Sequence, residues 1–117
     1  MTASAGEPAT EATAERTFVR ACALADVPAE GVLGVEVEGT PVAVVRAGGE
    51  LHALRDVCSH AEVALSEGEV YDQTIECWLH GSCFDVRTGK PTGPPATEPV
   101  PVYPVKTEDG DVYVALT

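Results

Sequence analysis

Four side chains in this 117-residue sequence have the types and spacing of a single metal site. Cys58-Ser59-His60 and Cys77-Trp78-Leu79-His80 each put a thiol and an imidazole within three positions of one another, and sixteen residues, 61–76, separate the two motifs. Thiolate and imidazole are the ligands that zinc and iron–sulfur centres take from tight loops. On the residues alone both centres fit. Structural zinc sites commonly pair Cys with Cys in one knuckle and His with His in the other. Here each knuckle mixes the two, which suits a two-metal centre in which the cysteines take one metal and the histidines the other.

Such ligands must be carried by loops on a rigid frame, and the chain supplies one. Val35-Glu36-Val37-Glu38 alternates as a half-buried strand does, and Val42-Ala43-Val44-Val45 reads as a strand buried more completely. Gly39-Thr40-Pro41 and Gly48-Gly49 are the turns of a three-strand antiparallel meander whose last member, 50–57, delivers Cys58. A first strand is expected over 17–24, anchored by Phe18. The region after Cys58 reads as a loop over 58–67, short strands at 69–71 and 73–78, a second loop at 79–82, and a strand at 84–86 closed by the turn Arg87-Thr88-Gly89-Lys90. Ile75 and Cys77 fall on one face. Five prolines in 91–101 exclude that stretch from a central strand. A closing hairpin is expected from 102–106 and 112–116. No amphipathic helix is evident, so the fold class is all-β. Residues 1–16 lack large apolar side chains beyond Met1 and are expected to be a disordered tail before one domain over 17–117.

Composition narrows the function. Nineteen acidic against seven basic residues give a net charge of −12. Phosphate recognition needs a Lys/Arg patch, so nucleic acid is not an expected partner, nor is an anionic membrane surface. The charge either serves solubility or steers the protein toward a basic docking face. No run approaches the roughly 20 apolar residues that span a bilayer, and no signal peptide is visible, so a cytoplasmic protein is expected. In a reducing compartment the cysteines are better suited to metal binding than to disulfides.

The two motifs, their sixteen-residue gap and the continuation Gly81-Ser82 resemble the Rieske [2Fe–2S] signature. Phe84-Asp85-Val86-Arg87-Thr88-Gly89-Lys90 further resembles soluble Rieske-type ferredoxins of bacterial ring-hydroxylating dioxygenase systems. The likeness covers roughly residues 18 to 116. It implies an antiparallel β-sandwich or barrel with a small cluster-binding subdomain of two ligand loops, about 57–90. It implies one [2Fe–2S] cluster, with Cys58 and Cys77 on the inner iron and His60 and His80 on the outer, more exposed one. It also implies a monomeric one-electron carrier with no catalytic residues, passing electrons from a ferredoxin reductase to a terminal oxygenase by docking near His60 and His80. The alternative is a small Rieske-like subunit of a reductase such as assimilatory nitrite reductase. Two thiolates fewer than in an all-Cys cluster leave net charge zero when oxidised, which makes the added electron easier to accept.

Departures from the respiratory branch of that family bear on the potential. Its extra loop cysteines are absent here, the corresponding positions being Val63 and Leu79 or their neighbours, and its donor tyrosine is replaced by Phe84. Ser82 is retained and is expected to donate toward a bridging sulfide. Fewer donors place the potential at the low end of roughly −150 to +300 mV. Gly93-Pro94-Pro95 resembles the family's proline loop over the cluster and reads equally as a rigid surface connection. Trp78 is expected at the exposed docking tip. Cys22 and Cys83 read as small apolar fillers, and His52, with no paired Cys, as a strand-face residue and not a ligand.

Overall fold

The valines at 42–45 lie in a strand that the chain covers on both faces, which is why they read as a continuous apolar run. The computed structural model describes residues 17–59, 62–79, 81–94 and 96–116; the expected tail, His60 and His80 lie outside these. In chain order the described strands are β1 (Phe18–Ala23), β2 (Gly31–Val37), β3 (Thr40–Ala47), β4 (Glu50–Arg55), β5 (Glu69–Tyr71), β6 (Thr74–Glu76), β7 (Cys83–Asp85), β8 (Val102–Tyr103), β9 (Val105–Glu108) and β10 (Asp111–Ala115). The only helical elements among the described residues are single 3-10 turns at Leu24–Asp26 and Leu65–Glu67, and no helix among them is long and apolar enough to cross a membrane.

The strands form three antiparallel sheets ordered β1-β10-β9, β2-β3-β4-β8 and β5-β6-β7. The expected meander is β2-β3-β4, paired from Gly31↔Arg46 to Val37↔Thr40 and from Val42↔Arg55 to Ala47↔Glu50. Its turns, Glu38-Gly39 and Gly48-Gly49, have both residues at positive φ, as two-residue hairpins joining right-twisted strands require.

Alternation along β3 divides the interior into two cores. Val42 and Val44 pack with Val37, Ala53, Cys22, Val112 and Val114 between the first two sheets. Val45 and Ala47 point the other way, joining Leu54, Leu65, Ile75, Phe84 and Val86 under the third sheet. Residues 42–45 are all at 0% exposure. Each fully buried valine contributes about 1.5–3 kcal/mol of transfer free energy, so the middle sheet is the stiff layer on which both neighbours rest.

The structure revises several expected boundaries. The stretch 102–106 is two strands: Pro104 interrupts it, β8 pairs with β4, and β9 crosses to pair with β10. Proline has no N–H for a ladder, so the chain changes sheets there. Pro41 is no turn residue; it lies inside β3 opposite Glu36, near the strand end where a missing donor is tolerated. The delivering strand stops at Arg55: the Asp56 N–H still donates to the Pro41 carbonyl opposite it at 2.9 Å, but Pro41 has no N–H to return the bond.

Candidate metal centre

Both cysteines of the two motifs reach the same core. Cys58 follows β4 by three residues and is 2% exposed; Cys77 follows β6 directly and is 0% exposed. They pack with Leu65, Ile75, Phe84, Ala96 and Val100, although nineteen positions separate them in sequence. All four cysteines of the chain are thiols and none is in a disulfide.

Each loop is closed by its own backbone. In the first, the Cys58 N–H donates to Val63 O at 2.9 Å. In the second, the Gly81 N–H donates to Cys77 O at 2.9 Å and the Cys77 N–H to Ser82 O at 2.6 Å, a tight turn with Gly81 at φ 78°. The two loops meet through Gly68, where an added Cβ would stand 1.7 Å from the Glu76 carbonyl oxygen. Only glycine lets the end of the first loop lie against the residue preceding Cys77.

The proline-rich segment binds both loops. Ser59 Oγ donates to the Glu98 carbonyl at 2.5 Å, and the Ala96 N–H donates to Ser82 Oγ at 3.1 Å. The Thr92 N–H and hydroxyl both reach Cys83 O, at 2.8 and 3.3 Å. Prolines fix φ and lower the entropy lost on ordering this connection. Pro94 itself is exposed. The segment therefore acts as a strap on the two loops, a function that its composition alone does not distinguish from a rigid connection.

Trp78 and Leu79 project from the second loop at 51% and 38% exposure, so Trp78 lies on the surface as expected. Phe84 is fully buried beside the two cysteines and offers no donor; Ser82, also at 0% exposure, does. Between Cys58 and Val86 there is no Lys or Arg but six carboxylates, Glu62, Glu67, Glu69, Asp72, Glu76 and Asp85. Asp85 alone of them is paired with a cation among the described residues, accepting from Arg87 at 2.9 Å, which holds its carboxyl below the usual range.

The remaining candidates behave as bystanders. Cys22 is buried between the first two sheets, and burial pushes its thiol up. Burial, then the nearby Glu76 carboxylate, raises Cys83, the opposite of a reactive thiolate. His52 is half-buried on β4, and desolvation lowers its imidazole. Asp56 and Ser66 belong to no motif, yet the Ser66 N–H and hydroxyl both donate to the Asp56 carboxylate across the first loop. A carboxylate two positions before Cys58, at the end of an apolar strand, was the available signal.

Two buried thiols rooted in one core, at the start of two closed loops, form a soft donor pair that matches a thiolate-held iron. The imidazole half of the donor set, His60 and His80, lies outside the described residues. The Rieske [2Fe–2S] domain family model matches residues 17–104. The anthranilate 1,2-dioxygenase ferredoxin subunit of Burkholderia cepacia is 49% identical over 89 residues, covering 76% of this chain and 79% of the relative. Among solved structures, the ferredoxin of carbazole 1,9a-dioxygenase from Nocardioides aromaticivorans IC177 superposes with a TM-score of 0.81 at 38% identity, over 86% of this chain and 99% of that one. A ferredoxin chain from a complex of reduced oxygenase and oxidised ferredoxin in carbazole 1,9a-dioxygenase gives 0.79 at 37% identity, over 86% and 94%.

Proposed function

The chain belongs to the Rieske [2Fe–2S] domain family, and from that premise we infer how its residues serve electron transfer. Its cofactor is a Rieske-type [2Fe–2S] cluster, and it is an electron-carrying ferredoxin, not an enzyme in its own right. Cys58 and Cys77 would hold one iron as thiolates, and His60 and His80 the other as imidazoles. When bound, the cluster supplies a one-electron couple whose potential is raised by having two thiolates replaced by neutral ligands.

The observation that carries the ligand assignment is the convergence of Cys58 and Cys77 in one buried core at the roots of two loops. The chain's own residues then do three things. The strap from Ala96 to Glu98 holds both loops through Ser82 and Ser59. Ser82 Oγ accepts from the Ala96 N–H, and its hydroxyl would be a donor toward the sulfur of a bound cluster. Phe84 keeps the thiol side dry and adds no donor, which favours a low potential within the family range.

The partner reading follows from the surface. Trp78 and Leu79 expose apolar area beside the second loop, and the surrounding subdomain is acidic with no Lys or Arg from 58 to 86. An apolar tip in an acidic field suits a transient docking face for a basic partner, with the charge accelerating encounter. We assign the donor as a ferredoxin reductase and the acceptor as a terminal oxygenase, with the carrier a cytoplasmic monomer. Nitrogen couplings from two imidazoles in the EPR of the dithionite-reduced protein test the ligand set. Cys58→Ser and His80→Ala are expected to abolish the signal; a colourless protein containing zinc would overturn the reading. Salt-dependent reduction of an oxygenase tests the docking face, and rates unchanged by ionic strength would count against it.

A further inference from the structure

We propose that Asp56 is a positioning residue for the first ligand loop, acting through Ser66; this rests on the assignment of Cys58 and His60 as ligands. Asp56 follows β4 and is 7% exposed. Its backbone N–H is anchored to Pro41 O at the edge of β3. Its carboxylate accepts twice from one residue: the Ser66 N–H reaches Oδ1 at 2.6 Å and the Ser66 hydroxyl reaches Oδ2 at 2.6 Å. Ser66 lies in the 3-10 turn Leu65–Glu67 on the far side of the loop. The pair therefore ties the two sides of the neck of the segment 57–65, which contains Cys58 and His60.

Three features make this more than a surface bond. A nearly buried carboxylate is costly unless hydrogen-bonded, and charge-assisted bonds of this length are among the strong ones. Gly34 of β2 forms the floor beneath the pair: a Cβ there would lie 2.5 Å from Ser66 Oγ and 2.8 Å from Asp56 Oδ2. Ser66 also fixes its neighbour Leu65, which is 0% exposed and packs in the core that holds Cys58 and Cys77. Asp56 thus sets where the loop starts and where Leu65 closes beneath it. The loop's interior has one bond of its own across it among the described residues, from the Cys58 N–H to Val63 O.

The test compares cluster release with global stability in the holoprotein. Asp56→Ala removes both bonds, Ser66→Ala removes the hydroxyl bond and keeps the backbone donor, and Asp56→Asn keeps one acceptor oxygen. Val112→Ala, in the other core, is the control for general destabilisation. Iron released to a chelator, followed by loss of visible absorbance, should be about tenfold or more faster for Asp56→Ala than for Val112→Ala compared at equal distance below their unfolding temperatures. Asp56→Asn and Ser66→Ala should fall between Asp56→Ala and wild type, and the reduced-state EPR lines should broaden for Asp56→Ala but not for Val112→Ala. Release at the Val112→Ala rate with an unbroadened spectrum would overturn the proposal. If Asp56→Ala does not fold, Ser66→Ala decides by the same comparison, with a rate matching Val112→Ala again counting against it. Cys58→Ser separates this from the ligand assignment, since a full cluster in that variant defeats the assignment whatever the Asp56 variants do.

Discussion

The body of the molecule and its site region are built by different means. The body has strands of up to eight residues, continuous ladders and a valine-rich core buried on both faces of the middle sheet. The site region has strands of three residues and holds its loops with side-chain bonds to backbone: Ser59 to Glu98, Ala96 to Ser82, Thr92 to Cys83 and Ser66 to Asp56. Area burial is non-directional and stiffens a layer; hydrogen bonds fix individual atoms but contribute only about 0.5–1.5 kcal/mol each. A site that must place ligands accurately and still present an edge to a partner needs the second kind of order on top of the first.

That difference can be broken from either side. The largest effect is expected from Cys77→Ser, which should eliminate the cluster while the body keeps its far-ultraviolet signature; loss of all β signal would show the two regions to be one cooperative unit. Removing the metal from wild type by chelation should abolish hydrogen-exchange protection at Cys58, Cys77 and Gly81 and leave protection in β2-β3-β4. Uniform loss across both regions would contradict the contrast. In the body, Val44→Ala should cost about 2–3 kcal/mol by denaturant unfolding, from two lost methyl groups plus a cavity, with the cluster spectrum unchanged.

Smaller effects sharpen the comparison. Phe84→Tyr adds the hydroxyl that this chain lacks and should raise the potential by roughly 20–60 mV, one hydrogen bond converted for a one-electron couple. A redox titration with no rise would mean that the hydroxyl finds no sulfur. The smallest is His52, whose Nε2 is buried without a hydrogen-bond partner and whose imidazole is lowered by desolvation. Its folded pKa lies below the unfolded one, so the unfolded chain binds the proton more readily. Stability should therefore fall as pH drops below the ordinary histidine range. His52→Gln should flatten that dependence in thermal melts between pH 7 and about 5.5.

Much of the frame was legible because it follows short-range rules. Alternation at Val35–Glu38, the glycine turns and the apolar run at 42–45 mark β2, β3 and β4 to within a few residues. The strand split at Pro104 was not, because 102–106 has the alternation of one strand and nothing local says that its halves pair with different sheets. Ligand candidates were legible by type and spacing. Their supports were not: Ser59, Ala96 and Asp56 are ordinary residues whose partners lie 39, 14 and 10 positions away.

The all-β class, the paired Cys-x-His and Cys-x-x-His motifs and the acidic composition are legible along the chain, since each depends on residue type and local spacing. That Cys58 and Cys77 share one core, that the proline-rich segment straps both loops and that Asp56 bonds across the neck of the first loop emerge in three dimensions. Those are contacts between segments distant in the chain, set by how three sheets stack, and no local pattern encodes them.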